Sequence, residues 1–458
     1  MKIHALAAFG AALLAVSAGR ADVTLPAVFS DHMVLEAEMA VPVFGTAAPD
    51  ERITVEIRGQ KKTVRAGKDG KWLVKLAPLK AGGPFELKVL GRNALVVKDV
   101  LVGEVWLASG QSNMRFPLSE ASDAQAEIAK ADFPQIRYRM GQGKWAVCSP
   151  RSCPDFSAVA YFFATELSRN RKTPVGIIEN AVSGAVAQVF VRKAVFDADP
   201  TLAEAVGKHR HDYGPNGAVW DRSFAPIVPY GIKGALWFQG EGNRDFPVTY
   251  RKLLAALIAD WRKEWGQGDF PFLVCQLTNA QEHQSEPSEG RDCAMREAQL
   301  KVVQAVPNTA LVVTIDLNDG TDVHFPNKKP CGRRLAIAAR ALAYGEKIEY
   351  SGPIFKSARF EGNKAVVSFT HVGSGLEAKG GRLTGFLLCG PDGKWVRADA
   401  KIEGTTVVVS SDKVASPAAV RYAWERNPDC NLYNRDGLPA SPFSSDTFEN
   451  YFTKDEGD

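Results

Sequence analysis

Three polar segments, each placed directly after an apolar stretch, carry the chemistry this chain can do. The first holds Ser112, in GEVWLASGQSNM. The second is IKGALWFQGEGNRDF, where Gln239, Gly240, Glu241, Gly242 and Asn243 follow an apolar run. The third is ALVVTIDLNDGTDVHF, which ends in His324 beside acidic residues. A serine hydroxyl becomes a nucleophile when a base within reach takes its proton and a carboxylate orients that base. Amide side chains beside it can donate hydrogen bonds to a developing oxyanion. Each motif alone is weak, because Gly-Gln-Ser-Asn is also a plain turn. Their joint placement after core strands points to an activated serine.

The histidines narrow the choice of base. There are seven. His4 lies in the N-terminal leader, His209 and His211 in a polar Gly-flanked stretch, and His283 in a Gln/Glu/Ser-rich loop. His32 precedes an apolar run and His371 lies in a late β pattern. Only His324 combines a strand-to-helix loop with neighbouring carboxylates, the setting a general base needs. His209-Arg210-His211 reads as a solvated loop, since its spacing matches no zinc site.

These residues need strands to hold them. Val102 to Ser109 is rich in β-branched and apolar residues and reads as a buried strand that Gly110 ends. Ala235–Phe238 reads as another, and a third ends at Asp316. Open α/β sheets place their chemistry at the carboxyl edge of such strands. The Gly-x-Ser-x-Gly elbow of α/β-hydrolases is absent, because Met114 takes its last position. Leu335, Ala338, Ala339, Leu342 and Ala343 follow the i, i+3, i+4, i+7, i+8 pattern of a helix. Ala158–Ser168 and Tyr250–Trp265 read as helices too.

The texture of the chain changes twice. A prior of about three domains follows from the length. Residues 22–102 alternate short apolar segments with turn signals and read as a β-sandwich. Residues 103–345 alternate strands and helices and read as a parallel sheet covered on both faces. Residues 346–458 return to β patterns, as in Lys364–Thr370, Thr405–Ser410 and Val420–Trp424. Arg192–Arg222 is polar and loosely patterned, a loop or short helices beside the site. Trp220, Phe224, Trp237 and Phe238 either line a ligand subsite or fill the core.

The ordered set GQSNM, WFQGEGN and DVH resembles the sialate O-acetylesterase family, a branch of the SGNH/GDSL-type serine esterases that includes acetylxylan-type carbohydrate esterases. LPAVFSDHMVL, AGGPFEL, VLVGEVWLASGQSNM, FSAVAYFFATEL, PVGIIENAVSG, FAPIVPYGIKGALWFQGE, GRRLAIAARALAYG and RYAWERNPDCNLYNRDGLPASPF extend the likeness over nearly all of the chain after the leader. The resemblance implies an α/β fold: an SGNH-type three-layer parallel-sheet hydrolase domain flanked by N-terminal and C-terminal β domains. It implies Ser112 as nucleophile and His324 as base. The backbone N–H groups of Ser112 and Gly184 become oxyanion donors, with Gln239 as third donor and Asn243 as its alternative. Asp322 is the orienting acid and Asp319 the fallback, since Thr321 stands where many SGNH enzymes carry the acid. Gln111, Asn113 and Glu241 are implied around the substrate. Three departures touch substrate contacts: Ser183-Gly184-Ala185-Val186 for Trp-Gly-Gly-Thr, Gly242 for the serine of Gly-Glu-Ser-Asn, and Phe325 for the proline of His-Pro.

Residues 1–21 have the form of an export signal: Lys2, an apolar run from Ile3 to Val16, then small residues. That run is too short to span a bilayer. The formal charge is +4; subtracting Lys2 and Arg20 leaves +2, which gives no reason to invoke nucleic acid or an anionic membrane. Seven cysteines in an exported chain leave at least one unpaired, and Cys148–Cys153 is the nearest pair for a disulfide. The expectation is a periplasmic or secreted serine esterase that removes O-acetyl groups from a carbohydrate, foremost an acetylated sialic acid. Acetylxylan or another polysaccharide is the alternative substrate. A carbohydrate-binding protein around a dead hydrolase core is the non-enzyme alternative. The chemistry needs no metal or organic cofactor.

Overall fold

A computed structural model describes residues 22–446, apart from 210, 282, 285, 288 and 289. The leader expected at 1–21 lies outside the described residues.

The centre is a seven-stranded sheet. Its strands are β1 (Ala94–Gly110), β2 (Phe133–Met140), β3 (Trp145–Cys148), β4 (Val175–Ala181), β5 (Gly234–Phe238), β6 (Phe272–Cys275) and β7 (Thr309–Val312). They lie in the order β7-β6-β5-β1-β4-β2-β3. All neighbours are parallel except β3, which closes the edge antiparallel to β2. Strands covered on both faces need apolar residues at every position. That is why β5 (GALWF) and β6 (FLVC) are buried throughout.

Helices cover both faces. On one side α2 (Ala158–Arg171) and α5 (Lys329–Tyr344) share a core with Trp106, Ala108, Leu236, Phe238 and Leu273. Ser157 caps α2 by accepting the Ala160 N–H at 3.1 Å. On the other side α3 (Pro247–Trp265) and α4 (Arg291–Ala305) pack with Leu107, Ala235, Trp237, Phe272 and Val274. The alternation along each strand sorts the two cores. Trp220, Phe224, Trp237 and Phe238 all fall inside these cores, at 3% exposure or less. This removes them as a sugar subsite. Large apolar rings gain more from burial than a short polar segment can offset.

Strand β1 is the longest element. Its first half pairs antiparallel with Gly82–Leu90 in the N-terminal β region, and its second half runs parallel between β4 and β5. The strand therefore crosses residues 102 and 103 without a break. The N-terminal region also contains the Val41–Thr46/Lys71–Leu76 and Arg52–Ile57/Gln60–Arg65 pairs. After α5 come two four-stranded antiparallel sheets. Lys364–Thr370 lies between Ile354–Glu361 and Thr406–Ser410 in one, and Phe386–Cys389 pairs with Ala419–Tyr422 in the other. The Arg192–Arg222 stretch forms short helices at Lys193–Ala198 and Pro200–Gly207 and enters a π-turn at Trp220.

All seven cysteines are unbridged, so no Cys148–Cys153 disulfide forms. Both thiols are buried in the apolar core, where free cysteine acts as a small hydrophobe. His209 also departs from the solvated loop read for it. It is 7% exposed and stacks on Phe246 with ring centroids 3.3 Å apart. Arg210 lies outside the described residues.

Candidate active site

Register brings the polar segments together. Gly110 at the end of β1 pairs with Ala181 of β4 on one side and Phe238 of β5 on the other. Phe238 is level with Cys275, and Cys275 with Val312. Five parallel strands thus stop at one height, and everything after them gathers at the carboxyl edge of the sheet. Gly110 makes the turn possible. Its φ is +131°, and a Cβ there would sit 2.1 Å from the Phe238 carbonyl oxygen, so only glycine fits.

Directly after this turn Ser112 opens the short helix α1 (Ser112–Arg115). The first N–H groups of a helix have no intrahelical acceptor. The Ser112 amide is therefore available to a ligand beside its own hydroxyl. Ser112 Oγ lies 2.8 Å from His324 Nε2, across 212 residues of sequence. Asp322 Oδ1 accepts the His324 backbone N–H at 2.8 Å and stands 3.4 Å from His324 Nδ1. Its side chain is 67% exposed. Asp319 points elsewhere, accepting from the Thr321 N–H and Oγ1 at 3.0 and 2.7 Å.

The amides expected at the oxyanion are occupied. Asn243 Oδ1 accepts the Ala187 N–H at 2.8 Å, which fixes its amide orientation. Asn243 Nδ2 then donates to Gln188 Oε1 at 3.0 Å. Gln239 Nε2 donates to Asn243 Oδ1 at 2.8 Å and to the Ala185 carbonyl at 3.2 Å. Both side chains thus hold the Val182–Ala187 turn that carries Gly184. Gly184 has φ +73°, and a Cβ on it would collide with the Tyr213 hydroxyl at 1.9 Å.

Gln111, Asn113 and Glu241 lie beneath the serine. Gln111 is 4% exposed, and its Oε1 accepts from the Gly242 N–H at 3.0 Å. Asn113 is fully buried, and its Nδ2 donates to Glu241 Oε1 at 2.7 Å and to the Val323 carbonyl at 3.1 Å. Burial pushes the Glu241 carboxyl above its ordinary value. The structure thus ties these three into the floor of the site, and their polar groups do not line its cleft.

That cleft has a volume of ≈ 810 Å³ and is lined by Ser112, Arg115, Phe116, Pro117, Glu120, Asp155, Ser183, Asp322, His324 and Pro326. One guanidinium thus faces three carboxylates. The guanidinium is itself engaged: Arg115 Nε lies 3.5 Å from the buried Glu179 carboxylate, and Nη1 donates to the Asp155 carbonyl at 3.3 Å.

The loop that carries His324 is braced from the C-terminal β region. Arg334 clamps Asp316 through two bonds of 2.7 and 2.5 Å, and the Tyr433 hydroxyl donates to Asp316 at 2.8 Å. Asn279 Nδ2 donates to Asn427 Oδ1 at 2.7 Å, while Asn427 Nδ2 donates to the Asp319 carbonyl at 3.2 Å. Neither Asn427 nor Tyr433 stands out in sequence, since both act over more than 100 residues.

The model of a carbohydrate esterase family, the sialic acid-specific acetylesterases, matches residues 102–340. The chain belongs to this family. Its members are carboxylic ester hydrolases acting on acetylated carbohydrates. Curated sialate O-acetylesterases from Pongo abelii and Homo sapiens are each 27% identical to it, over 90% of this chain and 91% of theirs. A solved carbohydrate acetylesterase from Xanthomonas citri superposes with a TM-score of 0.86 at 39% identity, covering 93% of this chain and all of the other. The flanked parallel-sheet architecture agrees with that neighbour. Among the described residues no helix is long and apolar enough to cross a membrane.

Proposed function

We propose that this carbohydrate acetylesterase works as an exported serine esterase through an acetyl-enzyme on Ser112. The observation that carries the reading is the 2.8 Å contact between Ser112 Oγ and His324 Nε2 at the carboxyl edge of the sheet. In the first step His324 Nε2 takes the hydroxyl proton as Oγ attacks the acetyl carbonyl carbon. The carbonyl oxygen becomes an oxyanion and is held by the N–H groups of Ser112 and Gly184. Collapse of this intermediate breaks the bond to the sugar oxygen, which leaves with the proton returned by His324. A water then gives a proton to His324 and attacks the acetyl-enzyme. Acetate departs and Ser112 recovers its hydrogen. Asp322 opposes the positive charge that the imidazole gains in both halves. Gln239 and Asn243 serve by holding the Gly184 turn in place.

Acetylated sialic acid is the first substrate to test, given the sialate O-acetylesterases among the relatives. One observation favours a second reading. Three carboxylates line the cleft, and its single guanidinium is already engaged. A sugar that carries its own carboxylate meets repulsion there, while neutral sugar hydroxyls can donate to Glu120 and Asp155. An acetylated neutral polysaccharide fits that lining. Export rests on the leader pattern of residues 1–21, with a periplasmic or secreted destination.

Turnover of a chromogenic acetate ester by wild type and Ser112→Ala tests the mechanism. A Ser112→Ala protein that keeps near-normal turnover refutes it. Rates on O-acetylated sialic acid and on acetylated xylan oligomers then decide the substrate.

A further inference from the structure

Next to the Ser112 turn lies a buried lysine that takes no part in the acyl transfer. Lys328 is 0% exposed and stands four residues after His324, at the start of α5. Its Nζ donates to Asn113 Oδ1 at 2.5 Å. It lies 3.5 Å from the ring centroid of Phe325, 4.8 Å from that of Phe116 and 5.6 Å from that of Phe238. Three π-faces and one amide oxygen thus surround the ammonium, an arrangement that favours the cation through the ring quadrupoles. Burial works the other way and pushes its pKa down to about 7, opposed by Cys331, Glu241, Cys275 and Asp322 around it.

Asn113 completes the link. It follows Ser112 directly, and its amide reaches both Glu241 and the carbonyl of Val323, the residue before His324. One side chain therefore joins the nucleophile turn, the base loop and the β5 loop. Asp322, by contrast, is mostly exposed and only 3.4 Å from the ring nitrogen, a loose hold for a base whose placement matters to a fraction of an ångström. We propose that Lys328 is a positioning residue, whose Nζ pins Asn113 and thereby locks the Ser112 turn to the His324 loop. This rests on Ser112 and His324 being the reacting pair, which the Ser112→Ala experiment tests separately.

The test is Lys328→Met, which keeps the length of the side chain and removes the charge and the donor. Circular dichroism checks its folding. The expected result is a kcat about 100-fold lower with KM within threefold, the pattern of an interaction used in the transition state. Labelling of Ser112 by a fluorophosphonate should slow by a similar factor per folded molecule. Lys328→Gln, whose amide can still donate to Asn113, should recover about tenfold. A folded Lys328→Met protein with kcat and labelling rate within threefold of wild type overturns the proposal. If neither Lys328 variant folds, Phe325→Leu decides. It keeps the ammonium but removes its nearest ring, so labelling about tenfold slower supports the role and an unchanged rate overturns it.

Discussion

Replacing Asp322 by Asn removes a charge from the base loop and keeps its shape, so its cost can be worked out from the structure. The carboxylate lies 3.4 Å from His324 Nδ1. Two unit charges at that distance attract by about 5 kcal/mol at an effective dielectric of about 20, and by about 1 kcal/mol in water. Asp322 is two-thirds exposed, which places it near the water end. In the proposed mechanism the His324 imidazolium of the transition state therefore loses about 1 to 2 kcal/mol in the variant, or roughly 5- to 30-fold in kcat. The amide oxygen of Asn can still accept the His324 N–H, so the loop should keep its form. Asp319→Asn should cost less, since its carboxylate is spent on Thr321. The assay is turnover of a chromogenic acetate ester at pH 8, with circular dichroism to confirm folding. Salt offers a second check, because screening weakens an exposed pair. Wild type should move toward the Asp322→Asn rate at 0.5 M salt. A thousandfold loss in folded Asp322→Asn would mean that the carboxylate acts as a buried one does, and the reasoning would be refuted. A larger loss in Asp319→Asn would pass the role to that residue.

Gly110→Ala should abolish activity and lower Tm, because the new Cβ meets the Phe238 carbonyl at 2.1 Å with φ at +131°; a soluble variant of wild-type Tm and rate would contradict the turn geometry. Gln239→Ala should reduce kcat about tenfold and stability by about 1–3 kcal/mol, as it takes away a donor to Asn243 Oδ1 and Ala185 O. A large drop in kcat with stability intact would instead make Gln239 a direct oxyanion donor. Burial lowers the His209 pKa from 6.5 to about 4. The unfolded chain therefore binds this proton first, and stability is full above pH 6.5 and falls as pH drops toward 4. Thermal melts of wild type and His209→Phe across that window should diverge, and parallel curves would count against a buried neutral imidazole.

Strand ends and the residues after them were legible because burial leaves a local mark. The apolar runs before Ser112 and Gln239 report strands and their breaks report the sheet edge, whereas the run to Asp316 overshoots, since that strand ends at Val312 and Val313 to Ile315 are buried loop. The helix at Lys329–Tyr344 announced itself by its period. What stayed hidden depends on partners far away in sequence. Gln239 and Asn243 carry donors, but only the Ala187 N–H shows which way the Asn243 amide points. Lys328 sits in a polar run, NKKP, where the neighbouring Lys329 is half exposed and bonds to the buried Glu127 carboxylate. Nothing local separates the two lysines, since the ring cage that buries one of them comes from three different segments. Trp220 and Phe224 have polar neighbours in sequence, which concealed their place in the core.

The unbroken course of β1 bears on how this enzyme can be taken apart. A chain cut at residue 103 would sever the strand that presents Ser112, leaving its first half with Gly82–Leu90 and Val34–Glu36 on the other piece. It would strip Phe29 from Tyr230 and Val28 from Trp145, both buried in the whole chain. The N-terminal region is thus not an appendage that can be exchanged like a binding module. It shares a ladder with the catalytic sheet, and unfolding of either part should pull the other with it in one cooperative transition.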